Sequence, residues 1–272
     1  MPYNETGYFS RLVTDYLDAS PVTEPFYTFT PDEKGSTDAI EQRAAYPVNR
    51  ELLVAALTKQ YASLPENSKT AANIRLLLQE NTFTVCTAHQ PNLFTGYLYF
   101  IYKILHAIKL AAQLTEQHPG KNFVPVFYMG SEDNDLEELG TFRFRGEKYT
   151  WDGNGQQGAV GRMDTKTLKP LLQQLFRAFD PPGKNLDELQ RMATEAYFNH
   201  KTIGAATQYF VHELFGRFGL IVLDPDDASL KSSFSAVMQD ELLNQHAQPI
   251  IAAQIEALSA NYKIQAHPRS IN

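Results

Sequence analysis

Between Thr82 and Met129 the chain reads strand, long helix, strand, and that order leaves few folds open. Phe83-Thr84-Val85-Cys86-Thr87 is a short β-favouring run within Thr82 to Ala88. A loop with Pro91 and Gly96 follows, and Tyr97 to Leu114 is a long, largely apolar helix stopped by Pro119-Gly120. Phe123 to Met129 is apolar with little alternation, the pattern of a strand buried on both faces. Parallel strands need a crossover of this length, so the segment is a βαβ unit. Leu220 to Leu223 is a third apolar strand, stopped by Asp224-Pro225-Asp226-Asp227. Strands separated by helices, each followed by a polar loop, predict an open parallel α/β sheet.

The remaining chain divides around that unit. Residues 1–80 read as a helical lead-in packed on the core, with Phe9 to Leu17, Arg50 to Ser63 and Ala71 to Glu80 as helices and irregular chain between the first two. Residues 81–138 hold the first βαβ. Residues 139–165 form a small β insertion, with Thr141 to Phe144 and Glu147 to Trp151 as hairpin strands around Asp152-Gly153-Asn154-Gly155. Residues 166–272 supply the helices Leu168 to Phe179, Leu186 to Tyr197, Ile203 to Phe218 and Leu230 to Ser259, plus the third strand. Pro181-Pro182-Gly183 separates the first two of these helices. Nucleotide-binding sheets usually have more than three strands, so the chain reads as an incomplete fold.

Composition excludes several function classes. The 272 residues are 43% hydrophobic and 20% charged, enough for one large domain or two small ones. A net charge of -7 without a Lys/Arg cluster disfavours nucleic acid and anionic membranes as partners. The single cysteine, Cys86, allows no intrachain disulfide and no multi-cysteine metal site. Inside an apolar strand it reads as a small core residue rather than a nucleophile. Met1 to Asp18 shows no secretory signal, and Lys103, His106 and Lys109 interrupt the most apolar stretch. A soluble cytoplasmic protein is expected.

In open α/β sheets, ligands sit at the carboxyl ends of the strands, where three loops qualify. In His89-Gln90-Pro91-Asn92-Leu93-Phe94-Thr95-Gly96, a helix start favours an anion. There His89 and Gln90 donate, Thr95 caps the helix, Gly96 admits close backbone approach, and Lys103 lies two turns into the helix. The alternative is a plain strand-to-helix turn. Ser131-Glu132-Asp133-Asn134-Asp135 can hold an amine, a sugar hydroxyl or a divalent cation, or its carboxylates can raise one another's pKa and serve as a base. Its alternative is a solvated loop that caps the next helix. Asp224-Pro225-Asp226-Asp227 offers Asp224 to a ribose or amino group, against the plainer reading of a turn and cap. Gly153, Gly155, Gly158 and Gly161 match no phosphate-binding fingerprint and suit a flexible turn region.

These residues carry a family resemblance. Thr84 to Gln90, Leu93 to Tyr99 and Tyr102-Lys103-Ile104 resemble the signature of the bacillithiol-biosynthesis cysteine-adding enzymes, the BshC family of cysteine ligases. So do Val124 to Glu138, Phe218 to Pro225 and the closing His267-Pro268-Arg269-Ser270-Ile271-Asn272, which resembles an internal segment of that family. The likeness covers essentially the whole chain as the family's amino-terminal half. Ala88 stands where members usually carry Gly, Tyr97 where they carry Pro, and Asn134 where many carry His.

The resemblance implies a Rossmann-like core of the class I aminoacyl-tRNA synthetase type and, in the other half, a coiled coil that pairs subunits into a homodimer. It further implies a carbon–nitrogen ligase joining L-cysteine to glucosaminyl-malate to give bacillithiol, with ATP (converted to ADP or AMP) activating the carboxyl group and no metal assigned. In that scheme Asp133, Asp135 and His89 are catalytic. Gln90, Asn92, Thr95, Gly96, Lys103, Asn134 and Asp224 bind substrate or phosphate. Another ATP-dependent ligase or nucleotidyltransferase on the same scaffold, and a noncatalytic fragment, are the alternative readings.

Overall fold

Polar side chains at Ser10, Asn49, Asn67 and Thr202 accept from helix-start amides and so fix where four of the predicted helices begin. The computed structural model describes residues 1–179, 183–267 and 269. Asp180, Pro181, Pro182, Pro268, Ser270, Ile271 and Asn272 lie outside the described residues, and with them the predicted Pro181-Pro182 break and most of the closing motif. The chain forms two compact units, residues 49–231 and residues 1–48 with 232–272. The lead-in of residues 1–80 is therefore shared between them.

The smaller unit contains α1 (Arg11–Leu17), α2 (Glu33–Ala44) and, from the carboxyl end, Ser235–Asn244 and Ala247–Ser259. Helix α1 is capped by Ser10, and the Tyr262 hydroxyl donates to Asp15 at 2.8 Å. Helix α2 corrects the expectation of irregular chain there. Its pattern has no clear apolar stripe, and its start is set by Asp32, whose carboxylate accepts from the Gly35 amide.

In the larger unit, α3 (Arg50–Tyr61) and α4 (Ser68–Leu76) start on the side-chain caps Asn49 and Asn67. They are followed by β1 (Thr82–His89), α5 (Leu98–Gln117), β2 (Asn122–Met129), the short α6 (Leu136–Leu139) and the hairpin β3 (Thr141–Phe144) and β4 (Glu147–Thr150). Then come α7 (Lys169–Arg177), α8 (Leu186–Asn199), α9 (Ile203–Phe215), β5 (Ile221–Leu223) and α10 (Ala228–Ser232). Strands β1, β2 and β5 form one parallel sheet in that order, with β2 central. This is a Rossmann-like α/β domain.

Side chains alternate across β2, and each set meets its own helical layer. Val124 and Val126 pack with Leu57, Ile74, Leu77 and Ile221 under α3 and α4. Phe127 and Met129 pack with Phe100, Ile104, Val211 and Phe215 under α5 and α9. Each such buried side chain is worth about 2 kcal/mol, against less than about 1 kcal/mol for an exposed ion pair, so these two layers hold the sheet.

Strand β1 is an edge strand, and this corrects the reading of Cys86 as a core residue. Cys86 is exposed. Its register partner Val126 is buried, while Thr84, Cys86 and Ala88 on the same face of β1 are exposed. Partial burial of the sulfur still pushes the thiol pKa up, which keeps it protonated.

The β3–β4 turn is Arg145-Gly146, with φ of 50° and 87°, the two positive angles of a tight hairpin turn. Asp152 to Gly155, expected at the hairpin, instead forms a separate 3-10 turn behind it. Gly161 is no loose turn residue. Its amide donates to the Ser131 carbonyl at 3.0 Å, and a Cβ there would stand 2.5 Å from that oxygen. Gly161→Ala is expected to cost about 1–3 kcal/mol in urea denaturation, since backbone rather than a mobile side chain blocks the methyl group. A loss below about 0.5 kcal/mol would show that the contact has room to relax.

Candidate functional site

The register brings the predicted loops together. His89 on β1 pairs with Met129 on β2, and Tyr128 pairs with Leu223 on β5, so all three strands end on one rim. There the Gly130 amide donates to the His89 carbonyl at 2.9 Å, and the Gln90 side-chain amide donates to Asp133 at 3.0 Å. The Ser131 hydroxyl donates to the Asp224 carboxylate at 2.5 Å. Gln60 on α3 holds the main chain of Asp224 from both sides, donating to its carbonyl at 2.8 Å and accepting from its amide at 3.0 Å.

His89 is half-buried. Its Nε2 lies 3.0 Å from the Tyr99 hydroxyl and its Nδ1 lies 3.3 Å from the Gln90 carbonyl. These partners fit one neutral tautomer, with Nδ1–H donating to the carbonyl and Nε2 accepting from the tyrosine. Burial lowers the imidazole pKa, and the Lys103 ammonium adds to that. Neutral at pH 7, His89 can accept a proton. Lys103 is exposed and donates to the Ala88 carbonyl at 2.5 Å, which sets a cation at the end of β1.

Asn92 is 1% exposed, and neither atom of its amide finds a hydrogen-bond partner of normal geometry among the described residues. An unpaired buried amide costs about 1–3 kcal/mol, so a polar partner in this loop would be gained cheaply. Gly96 is required beside it. Its φ is 60°, and a Cβ would stand 2.9 Å from the Asn92 Cβ. Thr95 does not cap α5 as expected. The N-cap is Tyr97, without a side-chain cap bond, and Thr95 sits earlier at φ 71°. The α5 amides are thus left free of side-chain caps at the rim.

In the acidic loop, Asp133 and Asp135 play different parts. The Gln90 hydrogen bond, then the Asp135 amide, hold the Asp133 carboxyl below its usual range. This is opposite to the mutual raising expected of clustered carboxylates, so Asp133 stands as a fixed negative charge. Asp135 caps α6 by accepting from the Glu138 amide at 3.0 Å, and both Asn134 and Asp135 are exposed.

Sequence reasoning missed Tyr99, Gln60 and a charge network beyond the rim. Arg162 donates twice to Asp226, at 2.5 and 2.6 Å, while Lys231 bridges Asp226 and Glu132. The Arg162 hydrogen bond leads in pulling the Asp226 carboxyl from 3.8 to about 2. Tyr99 lies 10 positions from His89, in the first turn of α5, and Arg162 and Asp226 lie 64 positions apart, so no local spacing links either pair. Among the described residues, no group of three or more His, Cys, Asp or Glu could hold a metal, and no helix is long and apolar enough to cross a membrane.

Comparison with known proteins shows the family and the type of domain. The family model described as bacillithiol biosynthesis BshC, N-terminal Rossmann-like domain, matches residues 1–272. Relatives bearing the name "Putative cysteine ligase BshC" include one from Flavobacterium psychrophilum, 39% identical over 99% of this chain and 51% of its own length. Another, from Flavobacterium johnsoniae, is 37% identical over 99% and 51%. A third, from Cytophaga hutchinsonii, is 40% identical over 97% and 48%. The chain spans about half the length of these relatives.

Two titrations check the electrostatics. In NMR the His89 ring is expected to titrate below the 6.5 of a free imidazole, and in Tyr99→Phe its shifts should move. A midpoint at or above 6.5 contradicts the assignment. The folded pKa of Asp226 lies below its unfolded value, so its contribution is present above about pH 4 and is lost as pH falls toward about 2. Asp226→Asn should flatten that part of the stability–pH curve in chemical denaturation.

Proposed function

The chain belongs to the bacillithiol-biosynthesis BshC family as its N-terminal Rossmann-like domain, and from that premise we propose that it carries the reaction centre of a cysteine ligase. The reaction is carbon–nitrogen bond formation between the carboxyl group of L-cysteine and the amine of glucosaminyl-malate. The observation that carries the reading is the contact between the two loops. A cationic, neutral-imidazole turn at His89 and a fixed carboxylate at Asp133 are joined by Gln90 on one open rim.

Amide formation from a free carboxylate is uphill in water, and ATP supplies the activation. The buried amide of Asn92, the uncapped start of α5 and the Lys103 ammonium fit an anionic group, carboxylate or phosphate. Asp133 holds the amino group of a substrate as its counter-ion, and Asn134 and Asp135 border that place. Asp224, tied to Ser131, fixes the acidic loop rather than reaching out.

As the amine nitrogen bonds to the carboxyl carbon, that carbon loses its activated oxygen and the nitrogen must shed a proton. The Tyr99 hydroxyl takes it while passing its own proton to the Nε2 atom of His89, which leaves the ring protonated and the hydroxyl restored.

The test is mass spectrometry of bacillithiol formed from L-cysteine, glucosaminyl-malate and ATP by the protein that carries this domain. His89→Ala and Asp133→Ala should each lower the yield about 10²-fold or more, the usual worth of a positioned acid–base group. An unchanged yield in both variants would refute the site. Product formed without cysteine would refute the substrate.

A further inference from the structure

Strand β1 is an edge of the sheet and has none of the features that protect a free edge. It runs for eight residues and contains no Lys, Arg, Asp, Glu or Pro. Exposed edges are usually short, charged or broken by proline, because their unpaired amides and carbonyls invite another strand. The His89 carbonyl faces β2, where it accepts from Gly130, and the Asn81 carbonyl accepts from Asn122 in the same way. Groups two residues apart along a strand point the same way, so Thr82, Thr84, Cys86 and Ala88 direct theirs to the free side. Side chains close only the ends of that row. Arg50 donates to the Thr82 carbonyl at 3.1 Å and Lys103 to the Ala88 carbonyl at 2.5 Å. Between them, Thr84 and Cys86 have no strand to pair with on that side among the described residues. One face of β1 is bare as well. Helices α3 and α4 cover Val124 and Val126, but the register partners Thr84 and Cys86 are exposed. Parallel sheets are ordinarily covered on both faces.

We propose that the free edge of β1 takes a β-strand from the segment that follows this domain in the family, and that the same segment covers the Cys86 face. Two observations select that occupant. The strands add in one direction only, β1, then β2, then β5. Doubly wound sheets grow both ways from their first strand, which leaves the far side of β1 for the strands that come next. The relatives supply the chain for it, since the matched domain is N-terminal and spans about half their length. A second copy paired edge to edge across a two-fold axis would run antiparallel and leave the Cys86 face bare. Docking also has a consequence for the rim. Ligands of such sheets sit where the strand order reverses. With a strand added beyond β1, that place is the carboxyl end of β1, at His89 and Lys103. The docking concerns the sheet and stands apart from the ligase reading.

The experiment compares the 272-residue chain with the same chain joined after Asn272 to the remaining segment of the Flavobacterium psychrophilum relative. Hydrogen exchange, read residue by residue in a mass spectrometer, follows β1. Alkylation follows Cys86, the single cysteine of the 272 residues. In the unjoined chain the amides of Thr84 and Cys86 should exchange fast at any concentration, and those of Val85 and Thr87, which face β2, slowly. Joining should slow Thr84 and Cys86 exchange and Cys86 alkylation at least about tenfold each, because a tethered segment acts at an effective concentration of about 1 mM. Val85 and Thr87 should stay slow in both, which shows that β1 is folded. Fast exchange at Thr84 and Cys86 in the joined chain would overturn the proposal. So would protection in the unjoined chain that grows with its concentration, the mark of a second copy. Protection of the Cys86 thiol without the two amides would also overturn it, since that places cover on the face and no strand at the edge.

Discussion

The parallel ladder that joins β1, β2 and β5 is the constraint on which everything else rests. A parallel register fixes where each strand ends as well as which residues pair. Because His89 is level with Met129 and Tyr128 with Leu223, the three loops that follow emerge side by side. A slip of one residue would reverse every side chain of a strand and carry the apolar layers of Val124 and Phe127 to the wrong helices. The same burial that stabilises the sheet therefore sets the site.

At the rim, polar contacts convert that alignment into a charge pattern. Lys103 and the α5 start without a side-chain cap put positive charge and helix-start amides on the β1 side. On the β2 side Asp133 is kept ionised by Gln90, a residue of the opposite loop. The third loop does not reach outward. Asp224 is spent on Ser131, and Asp226 on Arg162 and Lys231, so these carboxylates brace the acidic loop from behind. The two acid-rich turns thus divide into one that faces solvent and one that supports it.

Much of this was legible in the residues. The βαβ unit followed from two apolar runs and the helix between them, and the rim followed from the rule that ligands sit at strand ends. Other features were hidden for identifiable reasons. Helix α2 has no apolar stripe to announce it, and only the Asp32 cap marks its start. The hairpin strands stand where the residues put them, with Arg145-Gly146 between them, but the strong turn signal at Asp152-Gly153 belongs to a separate 3-10 turn outside the hairpin. Cys86 was misplaced because an apolar strand in sequence does not say whether a neighbour covers it. Gln60 and Asp224 are 164 positions apart, and no local pattern links them.

The central claim is that the turns beginning at His89 and Ser131 form one receptor for a small charged molecule. Amide NMR of the nitrogen-labelled chain during addition of L-cysteine and ATP addresses it directly. The account predicts that resonances from both turns, His89 to Gly96 and Gly130 to Asp135, move together along one binding curve. Movement confined to a single turn, or separate curves for the two, would contradict it.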